Sequence, residues 1–343
     1  MTKKQTKRIL RIAFIIASIS SLWFVPWILV KAWILPLPDT VQEQVNEAIG
    51  HGFDGMIVYV DEAGKPPAFY TGGWKDRENK IPADPKSLFK IASISKLYVA
   101  VSITKLVKDN RLSLDETLVD YFPELVNRIE NVEKITLKMM VQHRSGIPNF
   151  TDNPAYWEDE QGNGKKALDF ALDLPASFEP DKGYEYSNTN YLLLREIIDM
   201  VLGYSHQKYI KEKIFIPLEL KNTFFSLNEV NLEDVMSGYY VGVEEDFKTN
   251  SNGMLATAED VGVFLRALND GSVFDEGEQE IYPYVYDHGG LVVGYQCLAE
   301  YHKDINTVVV QFINTTDFNG YEWNLSEIII NRIVKIQRRK KSS

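Results

Sequence analysis

The chain has 343 residues, 45% of them hydrophobic and 25% charged, which suits one large domain with a sizeable core and excludes a disordered chain. Its formal net charge is -11, yet residues 1–31 carry six cations and no acid, and residues 332–343 carry six more and no acid, so the stretch between holds 25 cations against 48 acids. So acidic a body repels phosphate backbones and argues against nucleic acid as a partner.

Residues 1–11 form a basic tail. Ile12 to Val30 follows as an uncharged run of 19 residues. At about 1.5 Å per residue a helix of that length spans about 28 Å, close to the hydrocarbon thickness of a bilayer. Trp23, Trp27 and Trp33 cluster at its far end, where an interfacial belt would lie. Five cations precede the run and one follows, so the positive-inside rule puts the N-terminus in the cytoplasm. The expectation is a single-pass transmembrane helix, 12–30, in the cell membrane, with an extracytoplasmic (periplasmic or extracellular) domain. A cleaved signal peptide would use the small residues Ala17, Ser18, Ser20 and Ser21, but Trp23 to Val30 continue apolar beyond them. A buried core helix would lack the lopsided charge flank. Pro26 is tolerated in membrane helices. Residues 31–40 read as a linker, 41–335 as the domain and 336–343 as a basic tail.

Gly55–Asp61 reads as a strand, Glu62–Pro67 as a turn and Ala68–Thr71 as a second strand. Ile91–Asp109 is apolar nearly all round and predicts a buried helix. Residues 112–225 read as mostly helical, with segments near 136–143, 165–173, 190–202 and 205–216. Thr257–Asn269 predicts a helix capped by Thr257, with Glu259 and Asp260 in its first turn. Strands are expected near 284–287, at Val292–His302 and at Thr307–Asn314, then an amphipathic helix from about Leu325. Strands at both ends and helices between them predict an α/β (α+β) body with a helical insertion at about 112–235.

Ser-x-x-Lys on a helix places a hydroxyl and an amine on one face. A lysine held neutral by desolvation can activate such a serine. The pattern occurs four times: Ser87/Lys90, Ser93/Lys96, Ser102/Lys105 and Ser205/Lys208. Ser205–Lys213 is polar, as a solvated helix face would be. Lys105 is expected near the exposed end of its helix, and Ser87 precedes the helix. Lys96 sits in the first turns of the apolar helix, where an unpaired ammonium is expensive, and this singles out Ser93 as nucleophile. Tyr186-Ser187-Asn188 opens a helix and is by itself most simply a capping turn. His288-Gly289-Gly290 precedes a strand and is by itself most simply a loop-to-strand junction, though its glycines would admit close substrate approach.

Cys297 is the single cysteine, so no intrachain disulfide or thiolate cluster can form. The five histidines, His51, His143, His206, His288 and His302, have no H-E-x-x-H or H-x-H spacing, which argues against a zinc hydrolase.

Six segments in order extend these signals: LFKIASISK (Leu88–Lys96), RLSLDETLVDYFPEL (Arg111–Leu125), ITLKMMVQHRSGIPNF (Ile135–Phe150), YEYSNTNYLLL (Tyr184–Leu194), NGMLATAEDVGVFLRAL (252–268) and HGGLVVGY (His288–Tyr295). Together they resemble the serine beta-lactamase and penicillin-binding-protein-like family. The likeness is greatest to class C beta-lactamases, D-alanyl-D-alanine carboxypeptidases and related esterases, over about residues 50–335. The resemblance implies an antiparallel sheet flanked by helices, a beta-lactamase/transpeptidase-like fold. It implies Ser93 as the acylated nucleophile, Lys96 as its proton acceptor or tuner, and Tyr186 as a second proton-transfer residue. Asn188 would orient the substrate amide and the Lys96 amine. His288 and Gly290 would lie on the strand edging the site, and the backbone N–H groups of Ser93 and Leu291 would form an oxyanion hole. No metal or organic cofactor is implied.

Class C beta-lactamases have lysine where His288 stands. That lysine holds the acid group of beta-lactams, so the histidine points toward the carboxypeptidase and esterase branch. The short stretch between Asp270 and His288 also predicts an open rim. The sequence thus predicts a membrane-anchored serine hydrolase cleaving peptide or ester bonds through an acyl-enzyme, with small-molecule or peptide substrates that include peptidoglycan-derived peptides. A catalytically silent cell-wall- or partner-binding relative and a beta-lactamase proper are the alternatives.

Overall fold

The computed structural model describes residues 3–158, 166–250 and 253–342. The ends of the basic tails (1–2 and 343), residue 165 of the expected helical segment and residue 252 of the quoted motif lie outside them.

Two helices stand where one span was expected: α1 (Lys3–Ser21) and α2 (Trp27–Ile34), joined by a 3-10 turn at Leu22–Phe24 and bent by 78°. Pro26 supplies the reason. It has no N–H to donate, and the residue before it, Val25, is pushed into extended backbone. Among the described residues no single helix is long and apolar enough to cross a membrane; the bent pair together meets that length and composition. α2 packs against the C-terminal helix with Ala32 fully buried. Arg332 of that helix donates to the carbonyls of Leu35 at 2.8 Å and Pro36 at 2.9 Å.

α3 (Val41–Gly50) begins at a capping box made by Thr40 and Glu43. There follow β1 (Gly55–Glu62), β2 (Ala68–Asp76), β3 (Ile81–Pro82) and β4 (Phe89–Lys90). A 3-10 turn at Ala92–Ile94 leads into α4 (Ser95–Lys108). The middle of the chain carries α5 (Leu118–Tyr121), α6 (Leu137–Val141), α7 (Pro154–Glu158), α8 (Asn188–Leu202) and α9 (His206–Ile210). Short strands β5 (Thr223–Phe224), β6 (Tyr239–Tyr240) and β7 (Leu255–Ala256) precede α10 (Ala258–Asp270). The chain ends with β8 (His288–Val292), β9 (Tyr295–His302), β10 (Thr307–Ile313), β11 (Thr315–Thr316) and α11 (Glu322–Ser342).

The main sheet has six strands in the order β3-β2-β1-β10-β9-β8, each pair antiparallel. Alternation along β1 separates two apolar cores. Ile57 and Tyr59 join α4 and α10 on one face, whereas Met56, Val58 and Val60 join α3 and α11 on the other. The antiparallel sheet flanked by helices is thus observed.

Two local expectations need correction. The described residues of 112–187 are mainly turns and short helices, because closely spaced caps such as Thr117 and Thr136 start helices that end within five residues. The strand expected at Val292–His302 is a hairpin: β8 and β9 pair from Val292↔Tyr295 to His288↔Ala299 around a turn at Val293-Gly294. Gly294 adopts φ 82°, which a glycine tolerates without strain. Residues 284–287 are irregular, and this frees Tyr284 to reach the site.

Candidate active site

Ser93 lies in the 3-10 turn before α4, at the junction of sheet and helical region. Ala92 just before it has φ 44°, a left-handed conformation that costs a residue with a Cβ about 1 kcal/mol or more. α4 brings Lys96 under Ser93, with Nζ 3.0 Å from Oγ. From α8 comes Asn188, whose Oδ1 accepts from Lys96 Nζ at 2.8 Å. The Tyr186 hydroxyl donates to Ser93 Oγ at 2.6 Å. Asn188 is itself fixed, its Nδ2 donating to Asn149 Oδ1 at 3.3 Å and Thr151 Oγ1 at 3.2 Å.

Lys96 is 3% exposed and meets no carboxylate. Burial, reinforced by the Arg195 cation, lowers its pKa to about 7. The Lys96 lone pair can therefore take the Ser93 proton at neutral pH while its own N–H donates to Asn188. Tyr186 is shifted the opposite way from Lys96: burial raises its pKa to about 12, offset in part by the hydrogen bond to Ser93. Tyr186 is thus a proton donor to Ser93 in the resting site, not a tyrosinate.

His288 and Gly290 lie on β8, the edge strand. A Cβ on Gly290 would come within 2.4 Å of the Ile91 carbonyl oxygen and 2.7 Å of Cys297 Sγ, so glycine lets β8 close on the turn that carries Ser93. Leu291, Ser93, Lys96 and Asn188 line one cavity of about 540 Å³. The structure thus gathers Ser93, Lys96, Tyr186 and Asn188 directly, with Gly290 and Leu291 beside them.

His288 reaches the group through residues the sequence did not single out. Its Nδ1 lies 2.5 Å from the Gly289 carbonyl, which can only accept, so Nδ1 carries the proton. Nε2 then accepts from the Tyr284 hydroxyl at 2.9 Å. Tyr284 in turn faces His143 Nε2 at 3.2 Å, and His143 Nδ1 accepts from the Ser187 N–H at 3.2 Å. Every donor has an acceptor when both imidazoles are neutral. Burial lowers His143 to about 3 and His288 to about 4, the nearby Lys96 adding to both shifts. The His143 ring also lies 4.4 Å from the Tyr186 ring. A second cavity, about 460 Å³, opens on this side between Tyr184, Tyr186, Tyr284 and His288.

The other Ser-x-x-Lys pairs separate clearly. Ser205 caps α9 and Lys208 is exposed. Lys90 is buried against backbone carbonyls of Phe247 and Asn250. Lys105 is not at an exposed end: it is 5% exposed and paired with Glu278 at 2.7 Å, because residues 271–281 fold over that end of α4. Arg195, a lone cation in an apolar helix, carried the same signal as Lys96 and could have been found by it. Among the described residues no three His, Cys, Asp or Glu side chains gather as a metal site.

Comparison with known proteins agrees with this architecture. The beta-lactamase family model matches residues 37–284. The protein flp of Staphylococcus aureus (strain MW2) is 26% identical over 209 residues, 59% of this chain and 42% of its own. Penicillin-binding protein 4* of Bacillus subtilis (strain 168) is 28% identical over 189 residues, 54% of this chain and 40% of its own. The chain thus spans about two fifths of the curated relatives it matches. Among solved structures, the D-amino acid amidase of Ochrobactrum anthropi SV3 superposes with a TM-score of 0.77 at 22% identity, covering 88% of this chain and 99% of that one. A penicillin-binding protein of Bacillus halodurans gives 0.70 at 19% identity, covering 85% and 98%.

Proposed function

The chain belongs to the beta-lactamase family, and from that premise we propose that it is a serine hydrolase that cleaves amide or ester bonds through an acyl-enzyme on Ser93. One observation carries the reading: Ser93 Oγ lies between a desolvated lysine without a carboxylate partner and a tyrosine hydroxyl. Neutral Lys96 accepts the Ser93 proton as Oγ attacks the carbonyl carbon. The Tyr186 hydroxyl then protonates the departing amine or alcohol, and the proton on Lys96 restores the tyrosine. Water next attacks the ester carbonyl carbon, its proton passing through Tyr186 to Lys96; the bond from that carbon to Ser93 Oγ then breaks, Lys96 returns the proton to Oγ, and the acid leaves. The backbone N–H groups of Ser93 and Leu291 would hold the oxyanion, each such donor contributing a few kcal/mol.

The neutral His288 speaks against a beta-lactamase, since it offers no cation to an acid group on the leaving side, and between the carboxypeptidase and esterase types it favours the esterase, because the amino acid that a carboxypeptidase releases carries a carboxylate on that same side. The N-terminal segment, with its uncharged run and preceding cations, would tether the domain outside the cytoplasm. Within that reading, peptides of the cell wall are the natural peptide substrates to try. Fluorophosphonate labelling followed by mass spectrometry tests the core of the proposal. Label on Ser93 is the expected result. Label on Ser102 or Ser205 instead would overturn the assignment of Ser93 as nucleophile, and no label would leave a binding protein in place of an enzyme.

A further inference from the structure

The cavity beside Ser93 holds a cation that the proton-transfer scheme does not use. Arg195 of α8 lines it with Ser95, Lys96, Tyr191 and His206. The guanidinium is largely enclosed, and among the described residues no carboxylate forms an ion pair with it. Its hydrogen bond is a long one, 3.4 Å to Ser95 Oγ. Asp199, one turn further along α8, turns instead to His206, whose Nδ1 lies 2.8 Å from its Oδ1. Arg332, the more enclosed of the two, shows the contrast: it holds Gln44 Oε1 at 2.6 Å, two carbonyls and Glu47 at 3.3 Å. A buried guanidinium with no anion is costly, and here it shares its enclosure with Lys96. Three lysine and arginine side chains line the cavity: Lys90 is taken up by the carbonyls of Phe247 and Asn250, Lys96 serves Ser93, and Arg195 is left over, while among the described residues no acid lines it.

The two sides of Ser93 can be told apart by chemistry. Tyr186, the donor to the leaving group, lines the cavity shared with Tyr284 and His288. The leaving group departs there, so the acyl half occupies the larger cavity on the Arg195 side. Phe150, Tyr156, Ile210, Phe225 and Met254 give that cavity apolar walls. We propose that Arg195 binds a carboxylate on the acyl portion of the substrate, so that the enzyme selects acyl groups with an apolar body and an anionic tip. The guanidinium fork matches a carboxylate in two parallel hydrogen bonds. Acid recognition thus lies on the acyl side, whereas the leaving side, with its neutral imidazoles, has no cation for it. This inference rests on the serine-hydrolase reading above.

Two 4-nitrophenyl esters of equal chain length test it, the hydrogen glutarate and the valerate, with the full chain in detergent micelles. The expected kcat/KM for the glutarate exceeds that for the valerate by about ten- to a hundredfold, the scale of a hydrogen-bonded pair with a charged group. Arg195→Gln should erase that ratio and Arg195→Lys should keep part of it. A role confined to tuning Lys96 would change both esters equally, so an unchanged ratio in Arg195→Gln overturns the proposal, as does no preference in the wild type. Calorimetry of monomethyl glutarate with Ser93→Ala protein separates this inference from the reading beneath it. If neither ester turns over but Arg195-dependent binding of monomethyl glutarate persists, the hydrolase reading fails and the anion site stands. If that binding is absent or indifferent to Arg195→Gln, the anion site fails.

Discussion

Helix α4 carries two buried lysines, each three residues after a serine, and they end in opposite surroundings. Lys105 points at Glu278, 2.7 Å away, with Asp275 at 3.4 Å. Lys96 points at two neutral oxygens, Ser93 Oγ and Asn188 Oδ1, and its electrostatic neighbour is another cation, Arg195. Same helix, same motif and similar burial give a structural ion pair in one case and a neutralisable base in the other. The motif therefore has no chemical meaning until the second set of partners is known, and those partners come from α8 and from residues 275–278, far away in sequence.

The largest effects should separate the two serines. Ser93→Ala should abolish turnover of small nitrophenyl esters with little loss of stability, because no packed volume is removed. Ser102 donates to the Tyr98 carbonyl at 2.9 Å inside the core. Ser102→Ala should therefore cost about 1 kcal/mol in chemical denaturation and leave kcat/KM alone. Equal activity losses in the two would dissolve the distinction.

The lysines should then show a crossed pattern. Lys96→Met should lower the acylation rate by about two or more orders of magnitude, the scale of losing a general base, while stability at neutral pH holds or rises. Lys105→Met should strand a buried Glu278 and cost about 3–5 kcal/mol of unfolding free energy. Esterase rates and urea midpoints on the same preparations check both. If Lys105→Met proves as stable as wild type, that pair is not the structural counterpart argued here.

How much of this was legible beforehand follows from the range of the forces. The apolar continuity of Ile91–Asp109 is a local signal and located α4 and Lys96. The ion pair of Lys105 with Glu278 is not local; sequence order put Lys105 near Lys108 and Asp109 and so suggested exposure. Tyr284 was read as part of a strand because alternating aromatics suit one. The turn at Val293-Gly294 instead shifts the strand to His288–Val292, and Tyr284 bridges His143 and His288. Pro26 was visible, but a proline in an apolar run is compatible with a membrane helix, and only the packing of α2 on α11 reveals the bend. The direction of the Tyr186 shift was not legible either, because burial and the neighbouring cation Arg195 act in opposite directions and their balance depends on the tertiary packing.

A somewhat smaller effect tests whether Lys96 and Tyr186 act as one unit. Tyr186→Phe removes the donor on Ser93 Oγ and should lower acylation by about two orders of magnitude. Combined with Lys96→Ala it should add little further loss, since both changes break the same proton path. Multiplicative losses in that cycle would return Tyr186 to a positioning role at the start of α8.

The smallest and most diagnostic effect is in pH. The neutral form of Lys96 is the base, so acylation should rise with pH and reach half its plateau near 7, where burial and Arg195 have brought the amine. The histidines cannot supply that limb, because His143 and His288 are held near 3 and 4 and are already neutral. Tyr186 cannot supply it either, being held near 12. Stability should follow with a definite sign. An unfolded lysine binds its proton up to about pH 10.4, whereas the folded Lys96 releases it near 7. Between those values the unfolded chain holds the extra proton, so the contribution of Lys96 to stability rises with pH, by at most about 1.4 kcal/mol per unit. Below about 7 its burial cost is fully present, and above about 10.4 it is gone. Lys96→Met should therefore be more stable than wild type at neutral pH and lose that advantage toward pH 10. Arg195→Gln removes the second cause of the depression and should move the activity midpoint upward. Lys105→Met should leave the midpoint where it is. A flat rate profile from pH 5 to 9 would mean that Lys96 is not the base, and the contrast between the two lysines of α4 would reduce to a difference in packing alone.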